Sequence, residues 1–114
     1  MSKPRRIDDA LYVHSITFSC DHRRRLLDHD QPKRIWLGIL TDELAKHEAR
    51  CIGFVIMPDH VHALIWFPKT GQLSRFMQQW KGRSSKGIKE FLFRSMSEYA
   101  SQFPQTDPIW QVQF

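Results

Sequence analysis

The spacing of apolar and polar positions changes several times along the chain. Tyr12 to Cys20 alternates with period two and places Tyr12, His14, Ile16 and Phe18 on one face, which predicts a half-buried strand. Beyond a charged stretch, Trp36, Leu40 and Leu44 recur every four residues. That single apolar stripe predicts a helix over roughly 32–48. Asp30 supplies a side-chain acceptor at its start, and Pro32 is tolerated in the first turn. Cys51 to Met57 is nearly continuously apolar and reads as a central strand. Pro58-Asp59 is a tight turn, and His60 to Phe67 is the next strand, so the two should pair as an antiparallel hairpin.

After the loop Pro68 to Gly71, a second helix is expected from near Gln72. Leu73, Phe76, Met77, Trp80 and Ser84 form its buried side, while Arg75, Lys86 and Lys89 fall opposite. Gly82 and Gly87 weaken this helix and would allow a break. Residues 95–108 lack a clear period and contain Pro104 and Pro108, which suggests a loop with one helical turn. Ile109 to Phe114 alternates again and reads as the start of a fourth strand. Residues 1–10 are polar and charged and read as a flexible arm, leaving one domain over 11–114.

The order β-α-β-β-α-β places the chain in the α+β class, as a ferredoxin-like fold with an antiparallel sheet and two helices on one face. Many unrelated functions use this arrangement, so it selects none. No apolar run approaches the roughly 18 residues of a membrane span, and no apolar stretch follows the basic first residues as a secretory signal requires. A cytoplasmic protein is expected, with Cys20 and Cys51 as reduced thiols.

Charge narrows the partner. The net charge is +5 over 114 residues. Segment 69–94 carries Lys69, Arg75, Lys81, Arg83, Lys86, Lys89 and Arg94 against Glu90 alone, a local +6. Such clustering favours anionic partners, nucleic acid first and a membrane surface second. Arg23-Arg24-Arg25 is either a phosphate contact or a solvated loop.

The stretch with chemical content is Val55 to Trp66. Successive strand side chains point to opposite faces, so His60 and His62 project together and Val61 turns away. Two neutral imidazoles so placed can bind one divalent metal, and a metal there could polarise a phosphodiester oxygen. The plainer reading is two histidines satisfied on a strand. Asp59 reads as a turn residue that caps the backbone, not as a ligand. Trp80 falls on the apolar stripe and belongs to the core; Trp66 shares the histidine face and could stack on a base or pack at an interface between subunits. His14, His22, His29 and His47 show no ligand spacing.

Pro58-Asp59-His60-Val61-His62, set between two apolar strands, resembles the HUH motif of single-tyrosine DNA transposases. The likeness is to the IS-200-like and REP-associated tyrosine transposases, and it extends to the first strand, the basic second helix with Trp80-Lys81, and Ile109 to Phe114. The resemblance implies a homodimer with a ferredoxin-like core that binds a hairpin in single-stranded DNA. It implies Mg²⁺ or Mn²⁺ at His60 and His62, and DNA contacts through Arg75, Lys81, Arg83, Lys86 and Lys89. It also places the attacking tyrosine and a further polar ligand on a helix after the tryptophan-glutamine strand, beyond Phe114. This chain is therefore expected to lack its nucleophile and to be inactive. Tyr12 and Tyr99 do not match the family position. Two other readings stay open: a module that grips hairpin DNA without cutting it, and an unrelated hydrolase with zinc at the two histidines, which would need further ligands.

Overall fold

A computed structural model of the chain describes residues 13–101, 104 and 107–111. The elements follow in the order β1 (His14–Ser19), α1 (Asp30–His47), β2 (Arg50–Met57), β3 (His60–Trp66), α2 (Leu73–Ser95) and α3 (Ser97–Ser101). The anticipated arm 1–10 and Tyr12 lie outside the described residues.

Among the described residues the sheet has three antiparallel strands in the order β1-β3-β2. The apolar run 51–57 is thus an edge strand, and β3 occupies the centre. The expectation of a central strand there fails because a continuous apolar run need not be covered on both sides. In β2 the side chains of Ile52, Val55 and Met57 remain exposed. A register shift between Cys51 and Gly53 sets Ile52 out of the ladder as a bulge, and Ile52 is 60% exposed. Where a fourth strand was expected, the described residues form none. Trp110 forms an isolated antiparallel bridge to Cys20, Gln111 N–H donates to the Ser19 carbonyl and Asp21 N–H to the Ile109 carbonyl, while 112–114 lie outside the described residues.

Both long helices cover one face of the sheet. Ile16 and Phe18 of β1 and Val61, Ala63 and Ile65 of β3 point into that layer. There the Phe18 ring meets Trp80 at 4.7 Å, Trp110 at 5.1 Å and Trp36 at 6.3 Å between centroids. Trp36 of α1 and Trp80 of α2 stack at 4.8 Å, as the four-residue stripe and the apolar side of α2 anticipated.

α1 begins at Asp30 with His29 as its cap residue, one position earlier than the acidic-cap reading, and no side chain caps its first turn. α2 is continuous through Gly82 and Gly87. Gly87 has a packing reason: a Cβ there would stand 2.9 Å from Cγ2 of Ile35, so the missing side chain lets α1 and α2 approach. Burial of Phe76, Trp80, Ser84, Ile88 and Leu92 outweighs the propensity cost of two glycines. Both cysteines are free thiols. No helix among the described residues is long and apolar enough to cross a membrane.

Candidate metal and nucleic-acid site

The alternation of β3 creates the site. Because Val61, Ala63 and Ile65 are drawn inward by the core, His60, His62, Leu64 and Trp66 face outward on the side of the sheet that carries no helix. The two imidazole rings stand 4.9 Å apart between centroids, nearly perpendicular at 83°.

Each ring has its Nδ1 engaged. His62 Nδ1 lies 2.9 Å from Oγ1 of Thr17, the residue directly opposite it on β1. His60 Nδ1 lies 2.7 Å from Oδ1 of Asp59. The other Asp59 oxygen accepts a bond from Arg23 Nε at 2.9 Å. The bond to His60, and then the Arg23 guanidinium, hold the Asp59 carboxyl below its ordinary range. Asp59 is therefore not spent on capping its own turn, as the Pro-Asp pattern suggested. The turn is held by backbone instead: Cys20 N–H donates to the Asp59 carbonyl at 2.9 Å and Leu27 N–H to the Pro58 carbonyl at 3.0 Å.

With Nδ1 occupied on both rings, Nε2 is the ligand atom left on each, which suits a shared divalent ion. Among the described residues no third His, Cys, Asp or Glu joins this pair in a metal-sized group. A closed four-ligand zinc site is not assembled from them. An open apolar depression of about 480 Å³ adjoins His62, lined by Ser15, Gly53, Val55 and Leu64. Trp66 is half-buried on the same face.

The five cationic candidates separate. Arg75 and Lys86 are exposed on the outer side of α2, and Lys89 is half-buried. Lys81 turns inward: Nζ lies 5.6 Å over the Phe18 ring and donates to the Gln111 carbonyl at 3.4 Å, and burial pushes its pKa down. Arg83 is held by Asp42 and by the fully buried carboxylate of Glu43 at 2.7 Å. The inward side of α2 packs on the sheet, so Arg75 and Lys86 lie on the opposite side of the molecule from the histidine pair.

Arg23, Arg24 and Arg25 bond Asp59, Asp107 and Asp28 respectively. His22, Asp21 and Asp107 bring possible ligand atoms within 4.8 Å of one another, and Arg24 pairs with both carboxylates of that cluster. Tyr99 sits on α3 with its ring 6.3 Å from that of His29, and burial raises its pKa. Thr17 was not singled out in the sequence, Arg23 was read there as a phosphate contact or part of a solvated loop, and Asp107 was not singled out either. Their partners are 45, 36 and 83 residues away, and such pairing depends on a strand register and a loop path that no local pattern encodes.

No curated protein matches the chain. Among solved structures it is similar to a protein from Deinococcus radiodurans R1 assigned as a transposase, with a TM-score of 0.65 and 21% identity over 99% of this chain and 82% of that one. It is also similar to a REP-associated tyrosine transposase bound to a REP hairpin, with a TM-score of 0.64 and 18% identity over 100% of this chain. The chain spans 59% of that protein's length. At these identities the two structures show a shared fold. Residues 9–114 match the family described as Transposase IS200 like, nearly the whole sequence, and the chain belongs to that family of transposases.

Proposed function

We propose that this chain binds hairpin-forming single-stranded DNA as the metal-holding domain of a single-tyrosine HUH transposase, with Mg²⁺ or Mn²⁺ held between His60 and His62, and that Tyr99 does not supply the attacking hydroxyl. The observation that carries the reading is the pair itself: two outward imidazoles on one strand, each with Nδ1 engaged and Nε2 left for a ligand. A divalent ion bound there supplies charge to stabilise a phosphodiester under attack. The hairpin in the structure of the REP-associated transposase supports the choice of DNA. Arg75 and Lys86, with Lys89 beside them, supply phosphate contacts that give affinity without sequence information.

A non-catalytic hairpin-binding module is the second reading, favoured by Tyr99: its hydroxyl is made less acidic by burial, the reverse of an activated nucleophile. Assembly as a homodimer is supported by the apolar exposure of the sheet: Ile52, Val55 and Met57 of the edge strand β2 are 60%, 53% and 43% exposed and Leu64 of the central β3 is 42% exposed, and among the described residues β2 pairs on one side only.

Fluorescence anisotropy with a labelled hairpin across a salt series tests the DNA reading. Arg75→Ala with Lys86→Ala should weaken binding and flatten the dependence of log affinity on log salt by about 0.7 per lost single-strand phosphate contact. Calorimetry tests the metal: Mn²⁺ should bind the wild type weakly and His62→Ala not at all, because two ligands leave most of the shell to water. Unchanged hairpin binding in the double variant, or tight Zn²⁺ binding in a closed site, would overturn this function.

A further inference from the structure

We propose that Arg23 and Asp59 are a positioning pair that fixes His60 as its Nδ1–H tautomer and so presents the Nε2 lone pair to the metal; the inference rests on the metal reading above. An ionised carboxylate only accepts hydrogen bonds. Because Asp59 Oδ1 stands 2.7 Å from His60 Nδ1, that nitrogen must carry the proton, and the lone pair of the neutral ring is left on Nε2. Arg23 completes the arrangement. Its Nε donates to Oδ2 at 2.9 Å, so each carboxylate oxygen has one partner and the plane of the group is set from both ends.

The surrounding backbone is arranged around this contact. Asp59 is anchored through its carbonyl by Cys20 N–H at 2.9 Å. Just past that anchor, His22 and Arg23 both adopt the left-handed region, with φ of 56° and 53°. Neither is glycine, and two such residues in succession are disfavoured for L side chains. This short reversal brings the Arg23 side chain to Asp59, 36 residues away in the sequence. Carboxylate–histidine–metal relays of this kind orient metal ligands in general.

The second histidine is held differently. Thr17 Oγ1 can donate to or accept from His62 Nδ1, so it sets the ring's place without dictating its tautomer. The pair is therefore asymmetric: a carboxylate, which can only accept, fixes the tautomer of His60, whereas a hydroxyl holds the ring of His62.

The metal-free protein gives the first test. Long-range ¹H–¹⁵N NMR at a pH where both rings are neutral should show His60 as the Nδ1–H tautomer, with that signature lost in Asp59→Ala. Mn²⁺ calorimetry gives the second. Asp59→Asn, nearly the same shape, should weaken binding by about 10-fold or more, the range seen when the partner of a metal-bound histidine is removed. Arg23→Gln, which leaves the carboxylate in place, should weaken it less. An Nε2–H signal for His60 in the wild type overturns the proposal without any variant. So does Mn²⁺ affinity in Asp59→Asn equal to that of a wild type that binds. Absence of Mn²⁺ binding to the wild type overturns the metal reading itself, and the contact then only secures the turn.

Discussion

Arg83 stands in the basic stretch of the sequence, yet the structure gives it an internal partner, and the two roles separate in one experiment. The Glu43 side chain is 0% exposed. Its Oε2 receives Arg83 Nη1 at 2.7 Å and Lys46 Nζ at 3.4 Å, and its Oε1 has His47 Nδ1 at 3.7 Å. Arg83→Met keeps the apolar stem and removes the charge. Breaking a fully buried pair costs about 3–5 kcal/mol. The Arg83 side chain is 36% exposed and Lys46 remains beside Glu43, so solvent and that ammonium offset part of the loss. A destabilisation of about 2–3 kcal/mol follows. For a domain of this size that is a Tm lower by about 8–12 °C, at roughly 4 °C per kcal/mol.

Thermal melts followed by circular dichroism read the shift, and hairpin anisotropy at low temperature, where the variant is still folded, reads the other role. Melting should fall while DNA affinity stays close to wild type. Arg83→Met with Glu43→Leu should recover most of the loss, since replacing both partners of a buried pair by apolar groups is often neutral. Arg83 also holds the Asp42 carboxyl below its ordinary 3.8. That contribution is present above the ordinary value and lost as pH falls through the lowered one, so the gap between wild type and variant should narrow in acid. If Arg83→Met melts with the wild type and loses hairpin affinity as Lys86→Ala does, the pairing with Glu43 is incidental and Arg83 is a phosphate contact.

Gly82→Ala and Gly87→Ala should shift stability in opposite directions. A Cβ at Gly82 meets open space and gains about 0.5–1 kcal/mol of helix propensity, whereas one at Gly87 meets Ile35 Cγ2 at 2.9 Å, and overpacking of about 1–3 kcal/mol exceeds the same gain; urea titrations that move both the same way would refute this. Burial pushes the Cys20 thiol from 9.0 up to about 11, so its contribution to stability is whole below about 9 and is lost as pH rises through about 11. The fall in urea midpoint between pH 8 and pH 10.5 should be smaller in Cys20→Ala than in wild type, and an equal fall would count against it. Tyr99→Phe should leave any DNA cleavage or covalent adduct formation unchanged on denaturing gels, because the Tyr99 hydroxyl is made less acidic by burial; an adduct that vanishes in this variant would make Tyr99 the nucleophile.

The order of elements was legible because it rests on local periods: two for β1 and β3, about four for α1 and α2. The histidine pair was legible for the same reason, since a spacing of two on a strand puts both rings on one side whatever the sheet around them. The place of β2 was not. Its apolar run records only that Ile52, Val55 and Met57 are apolar, and an exposed apolar edge and a buried centre have the same composition. The partners of charged residues were equally hidden. Arg83 and Lys81 sit among seven cations in the sequence, but Glu43 and Phe18 reach them from other elements. A count of charge therefore overstated the cationic surface that α2 exposes.

What remains of that surface has a geometric consequence. Phe76, Trp80 and Ile88 fasten α2 to the sheet, which turns Arg75 and Lys86 away from it, while the inward pull on Val61 and Ala63 turns His60 and His62 out on the far side. The same core therefore puts the proposed phosphate contacts and the proposed metal pair on opposite faces. The electrostatic attraction proposed at α2 is sequence-independent and screened by salt, whereas the metal ligation proposed at the sheet is local, with His60 oriented by Asp59 and the His62 ring held by Thr17. A single DNA segment cannot lie on both faces of one subunit without rounding an edge of the sheet. The edge that β2 presents is apolar and carries no described cation except Arg50 at its start, whereas the other side of the sheet brings Arg23 beside the histidines. Arg23 is itself paired with Asp59, so it adds no net positive charge beside the histidines, and charge alone selects no path; the apolar β2 edge is the side that the proposed homodimer would cover.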